Sequence, residues 1–442
     1  MGIRAVIMGL LGVGVSAFAL WRPFAGLIFV VFLYFWRPAL WGGEAYITPV
    51  EWVTVATALG WLIQERRKGI IAGAGWLLAF GVAYVLSTLL SPLADAESWA
   101  GVQKIAKILF FSFLIVRLCD TPRRLSICAA TVLLGCLWMI KAVLVSWAAQ
   151  GFSGAVRIDT AVGQGGGANY TAWVLACTLP LLVYKMTAGR SWERWASLAL
   201  IPIWLAAIIA TGSRGGFLCT AVSLGVTLLM LRKGTPVVVI TAAALFLVPL
   251  VPDQYWARIN TITLDADEMD TSALARYQNW SVATQIVRDY PIFGTGLDTF
   301  PRVKQRYTGP DYVGGNLVTH NTYLQMASEL GVPFLVMFFV FNAWLLWRLL
   351  QLRPAALQTG DGDLAWLRAW LLAALVATAL QMAKGDMAGL DYFWWQYAVG
   401  LAVLRACGRA QPSMATTPAG ASVEGGDWTR AAVPSVASGE RE

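Results

Sequence analysis

A chain of 442 residues in which 58% are hydrophobic and 13% charged, with a mean hydropathy of +0.61, carries about half the charge density of a soluble domain. That composition excludes a water-soluble globular enzyme and predicts an all-α, polytopic membrane helix bundle. The formal net charge of +8 is accounted for by basic residues retained in cytoplasmic loops, so it implies no nucleic-acid partner.

A membrane-crossing helix takes about 20 mostly apolar residues. In chain order, apolar runs fall near 5–20, 24–40, 49–64, 70–91, 101–118, 125–148, 170–187, 195–210, 215–232, 236–251, 328–350, 363–384 and 390–407. They predict about 12 transmembrane helices, the count turning on the first two runs, which only Trp21, Arg22 and Pro23 separate. The stretch "SAFA" resembles a signal-peptide cleavage site, but another apolar run follows it directly, so it is read as retained. Basic clusters at 64–69, 117–124, 184–195, 231–234 and around Arg348 and Arg353 occupy alternate connections and place those in the cytoplasm. Residues 92–100, 149–169, 211–214, 252–327 and 385–389 then face outward.

Four regions follow: N-terminal transmembrane helices over 1–251, a large and partly helical outward loop over 252–327, C-terminal transmembrane helices over 328–407, and a tail over 408–442. The tail is rich in Ala, Ser, Thr, Gly and Pro and is expected to be disordered and cytoplasmic. No internal repeat of the kind found in duplicated transporters is visible. The six cysteines show no Cys-x-x-Cys spacing and suggest neither a disulfide framework nor a thiolate metal site.

Within the long loop, "SALARYQNWSVATQIVRDYP" places Leu274, Tyr277, Trp280, Ala283 and Val287 at helical spacing, with Ser272 able to cap the start and Pro291 ending it. This predicts a helix along the membrane face, packed through those five residues. A glycine turn, "FGTGLDTF", follows; it lacks the third glycine and preceding strand of a dinucleotide fingerprint. After the cationic "PRVKQRY", a second helix is expected through "TYLQMASEL", capped by Thr319 or Asn321 and parted from the next span by Gly331 and Pro333.

His320 is the only histidine. A neutral imidazole suits general-base work near pH 7, although a helix-capping or solvated role fits its position too. Arg214, in "ATGSRGGF" between two spans, is costly at membrane depth without an anionic partner; snorkelling to headgroups is the alternative. Its flanking glycines would let a ligand approach the backbone. Arg276 and Arg288 lie twelve residues apart on the predicted loop helix, and at about 100° per residue they point in different directions. With Arg258, Arg302, Lys304 and Arg306 they form a candidate anion-binding lid, each alone being equally readable as surface charge. Asn169 stands at the end of "RIDTAVGQGGGANY", a substrate-facing loop or a flexible connector. The acidic "LDADEMD" contains an Asp-x-Asp but lacks the glycine and distal glutamate of a calcium loop, and reads as solvated charge.

Taken together, "TGSRGG", "RYQNWSVATQIVRDYPIFGTGLDTF" and "HNTYLQMASELG" resemble the O-antigen ligase and polymerase superfamily over roughly residues 150 to 335. The opening "WRPFAGLIFVVFLYFWRPALW" is similar to its O-glycosylation ligase branch. The resemblance implies an inverting, metal-independent glycosyltransferase of the cell inner membrane, with no cofactor and a periplasmic active site. It would move a glycan from undecaprenyl pyrophosphate to lipid A-core. His320 stands at the family's essential histidine, Arg214 and Arg276 at arginines expected to bind pyrophosphate, and Arg288 is a further candidate. Asn169 and Asn321 become candidate substrate contacts, and Pro333 departs from the small residue usual there. An O-antigen polymerase or a protein O-oligosaccharyltransferase of the same superfamily fits the motifs as well. A transporter or flippase, suggested by span number, would bury ionisable groups near the bilayer midplane; here charges gather on one outer face.

Overall fold

A computed structural model describes residues 3–36, 49–64, 73–152, 167–231, 236, 239–240, 271–310, 312–313, 318–352, 358–359 and 362–410. A helix occupies every apolar run except 236–251, which lies almost wholly outside the described residues. The first group is α1 (Ile3–Trp21), α2 (Pro23–Trp36), α3 (Pro49–Gln64), α4 (Gly75–Leu90), α5 (Ala96–Leu118), α6 (Pro122–Ala149), α7 (Ala168–Ala188), α8 (Ser191–Ala210) and α9 (Arg214–Leu231). The loop region holds α10 (Thr271–Asp289), a short α11 (Phe300–Val303) leading into a 3-10 turn (Lys304–Arg306), and α12 (Thr322–Leu330). Then come α13 (Val332–Gln351), α14 (Ala365–Met382) and α15 (Asp391–Ala410). A two-residue antiparallel pair, Gln358–Thr359 with Gly362–Asp363, lies between α13 and α14.

Among the described residues, seven helices, α5 to α9, α13 and α14, are long and apolar enough to cross a membrane. Residues Gly9–Trp21 of α1, together with α2 and α4, are shorter apolar helices. The chain is a multi-pass helical membrane bundle. The acidic stretch 264–270, Arg258, Gly163, Gly165 and Gly166 of the run before Asn169, and the tail from 411 fall outside the described residues.

The bundle is organised around α7, which is buried along most of its length and packs against α8, α9 and α14. A backbone carbonyl in apolar surroundings must find a donor, and Pro180 inside α7 cannot supply the usual N–H to Ala176 O. The hydroxyl of Ser223 on α9 donates to that carbonyl at 2.9 Å instead. Buried indoles are satisfied in the same way: Trp173 Nε1 donates to Thr378 Oγ1 at 3.0 Å, Trp370 Nε1 to Cys177 O at 2.7 Å and Trp204 Nε1 to Leu175 O at 3.1 Å. Gly216 makes the α7–α9 contact possible, because a Cβ there would fall 2.3 Å from that of Ala172.

A second, aromatic seam fixes the position of α13. Phe80 and Tyr84 of α4 meet Phe334 at ring separations of 5.7 and 4.7 Å, and Phe80 meets Trp394 of α15 at 5.1 Å. Since α13 follows directly from α12, this seam also locates the loop carrying His320.

The loop helices differ in one respect from the expected pattern. The buried face of α10 is Ala275, Asn279, Val282, Ala283 and Ile286, whereas Leu274 and Tyr277 are exposed. Apolar periodicity misplaced the face because its centre is a polar residue with partners. Asn279 Nδ2 donates to Val318 O at 3.3 Å, and the Tyr312 hydroxyl donates to Asn279 Oδ1. The turn after α10 is stapled to α12 by its backbone: Thr295 N to Ser328 O at 3.0 Å, Gly296 N to Glu329 O at 2.8 Å and Val332 N to Pro291 O at 2.8 Å. Gly331 sits at φ 92°, and a Cβ there would lie 2.0 Å from Ile292 O, so only glycine closes this junction. The buried Glu329 carboxylate accepts from Asp298 N at 3.1 Å and Phe300 N at 3.0 Å. Burial, with the neighbouring Asp298 charge, pushes the Glu329 carboxyl up to about 8.

Candidate active site

His320 lies in the short segment between the loop and α12, in the left-handed region at φ 52°. A β-substituted residue adopts that conformation only where its surroundings hold it, and here a carboxylate from another connection does so. Asp386, in the turn between α14 and α15, accepts the backbone N–H of His320 at 3.1 Å through Oδ2. The same oxygen lies 3.6 Å from His320 Nδ1, and Oδ1 accepts the Thr319 hydroxyl at 2.9 Å. Burial pushes the Asp386 carboxyl up to about 6, opposed by these hydrogen bonds, one from the Asn321 N–H and the positive charge of Arg276.

The two connections are joined further. Thr322 N and its hydroxyl both donate to Gly385 O, at 3.2 and 2.5 Å, and Met387 N donates to Thr322 Oγ1 at 3.0 Å. Asn321 is the N-cap of α12, its Oδ1 accepting from Tyr323 N and Leu324 N, each at 3.1 Å. That cap is a structural use for a residue read in the sequence as a candidate substrate contact. Nδ1 is the ring nitrogen turned toward Asp386. The imidazole is 29% exposed, enough for a hydroxyl to reach it.

α10 is tied to the same loop. Trp280 Nε1 donates to Thr319 O at 3.0 Å, and Asn279 reaches Val318 O. Arg276 lies three and four residues before these two, hence on the same helical face, and its charge stabilises the Asp386 carboxylate.

Arg214 opens α9. Its turn is held by Ser213 Oγ, which accepts Gly216 N at 3.0 Å and donates to Asn169 Oδ1 at 2.7 Å. Asn169 therefore braces the Arg214 turn. The flanking glycines, read as leaving room for a ligand, also serve packing, Gly216 against Ala172 and Gly215 against Gln381. Burial lowers the Lys384 ammonium pKa, Cys219 opposes this, and the charges of Arg276 and Arg214 both add to the lowering. Lys384 and Asp386 belong to one turn, which meets the Arg214 turn through Gln381 against Gly215 and the His320 segment through Gly385 O.

Other expected cations are placed elsewhere. Arg288 is exposed in the last turn of α10, about 18 Å along the helix from Arg276 at 1.5 Å per residue. Arg302 pairs with Asp95 at 2.9 Å and with Glu97, clamping the loop to the start of α5. Lys304 is buried, its ammonium 5.7 Å from the Phe300 ring and 5.5 Å from that of Tyr312. Of the cations expected to form a lid, Arg302 and Lys304 have these structural placements. Asp386 and Lys384 were missed from sequence; the available signal was a pair of opposite charges in a short connection between two apolar spans.

Compared with known proteins, residues 196–339 match the family model described as O-antigen ligase. That stretch contains Arg214, Arg276, Arg288 and His320, while Asn169, Lys384 and Asp386 lie outside it. No curated protein matches the chain.

Proposed function

We propose that the chain is an O-antigen ligase of the inner membrane, working at the periplasmic face, a reading supported by the match of residues 196–339 to the O-antigen ligase family model. Its donor is a glycan on undecaprenyl pyrophosphate and its acceptor lipid A-core. The reading is carried by the meeting of the His320–Asp386 pair with the region of Arg214 and Arg276, a base beside fixed positive charge.

The acceptor hydroxyl gives its proton to His320 Nε2 as its oxygen attacks the anomeric carbon. The new C–O bond forms on the face opposite the leaving group, so configuration inverts. The bond from the anomeric carbon to the pyrophosphate oxygen breaks, and its electron pair leaves with undecaprenyl pyrophosphate. Arg214 and Arg276 hold the departing charge through guanidinium forks that match phosphate oxygens. Asp386 orients the imidazole and stabilises the imidazolium that forms, the role of the carboxylate in a Ser-His-Asp triad. Arg288, exposed and farther along α10, is assigned to the entry path of the anionic donor.

Purified protein given lipid-linked glycan and three acceptors tests this. Glycan should appear on lipid A-core and persist in the presence of a chelator. Product only on lengthening polyprenyl chains would assign a polymerase, product only on protein an O-oligosaccharyltransferase, and loss of activity on chelation would remove the metal-independent mechanism.

A further inference from the structure

The residues given a part in the reaction so far come from the matched stretch and from Asp386. Lys384, two residues before Asp386, has none. It lies just beyond the end of α14, its N–H bonded to Gln381 O at 2.9 Å. The turn it belongs to is held on both sides. On one side, the buried Gln381 lies against the Arg214 turn: a Cβ on Gly215 would sit 3.0 Å from its Oε1, and Cys219 Sγ lies 3.5 Å from the same atom. On the other, Gly385 O accepts from Thr322, and Asp386 holds His320. Lys384 therefore stands between the α9 turn that bears Arg214 and the segment that bears the imidazole, with Arg276 reaching the same region from α10.

Like charges repel, and the repulsion grows as water is removed. The fold nonetheless gathers Lys384, Arg214 and Arg276 from three separate parts of the chain, with Lys384 only partly exposed. A multiply charged anion entering this region would meet all three cations at once. A diphosphate fits by charge and by oxygen number. Arginine supplies planar forks, whereas the lysine ammonium is a compact point charge able to follow an oxygen as it moves.

We propose that Lys384 is a third cation of the diphosphate site, contacting phosphate oxygens of the lipid-linked donor together with Arg214 and Arg276. The assignment rests on the transfer reading above. It makes the short connection between the last two spans a supplier of two functional groups, Asp386 for the base and Lys384 for the leaving group.

Calorimetric titration of full-length protein in detergent with inorganic pyrophosphate, free of divalent cations, tests it. The Kd of Lys384→Gln should rise about tenfold, equivalent to about 1.4 kcal/mol. Lys384→Arg should stay within about threefold of the parent, because the charge remains. Arg214→Gln serves as the comparison. If Arg214→Gln weakens binding and Lys384→Gln does not, the role of Lys384 falls while the transfer reading stands; if neither weakens it, both fall. A second arm needs only the charge-conserving variant. Burial lowers the Lys384 ammonium below the usual lysine range, so as pH rises the parent loses this proton while arginine keeps its charge. Beside Cys219 and Arg214 of α9, Arg276 of α10 and Asp386 of its own turn, that loss should weaken the parent relative to Lys384→Arg. Superimposable pH profiles would overturn the proposal.

Discussion

In the proposed mechanism, Asp386 sets the geometry of His320. It holds His320 by the backbone N–H and faces the ring at Nδ1, so replacing it with asparagine keeps the size but removes the charge. Transfer should fall on the order of 100-fold, the cost of misplacing a reacting group by about 1 Å, and its pH dependence of stability should change as well. The folded carboxyl is raised from 3.8 to about 6, so the native state binds this proton more tightly than the unfolded chain does. The corresponding stability is present below about pH 4 and is lost as pH rises through about 6. Melting curves of the purified protein over that window should slope downward for the parent and be flatter for Asp386→Asn; parallel slopes would show that the carboxyl does not titrate there. His320 drew notice in the sequence by being alone. Asp386 did not, because its meaning comes from a contact with a residue 66 positions away that no local pattern encodes.

At the level of elements, helix positions were legible because each apolar run is long and bounded by charge, glycine or proline. The face that α10 buries was not, since Asn279 at its centre is polar and becomes acceptable inside only through Val318 and Tyr312. The close approach of α7 and α9 was also hidden: "TGSRGG" reads as a turn or ligand loop, yet Gly216 works as a packing position. Alanine there adds a Cβ that neither helix can rotate away from. Overpacking costs about 1–3 kcal/mol, against about 1 kcal/mol regained from helix propensity. Gly216→Ala should therefore lower the melting temperature. Gly225 on the same helix has nothing within 4 Å of an added Cβ, and Gly225→Ala should leave stability equal or higher. Equal effects at the two sites would contradict the packing account.

For the whole molecule, the proposed function requires the reacting groups at the periplasmic end of the bundle, where a polyprenyl tail would stay in the bilayer while its diphosphate meets the cations. Charge distribution in the loops led to that orientation, and the exposed face of α10 offers a test. Tyr277 is 49% exposed and the six cysteines are buried, so Tyr277→Cys gives one reactive thiol on a quiet background. A membrane-impermeant maleimide should label it in intact spheroplasts. Labelling only after lysis would put the site on the cytoplasmic side and remove the periplasmic reaction.

The central claim is that His320 takes the acceptor proton. Its most direct test is the single-turnover rate of glycan transfer by His320→Ala, purified and shown to melt as the parent does, with saturating lipid-linked donor and acceptor. The rate should fall on the order of 100- to 10,000-fold, the contribution of a placed general base, with donor binding unchanged. Transfer at the parental rate would contradict the account.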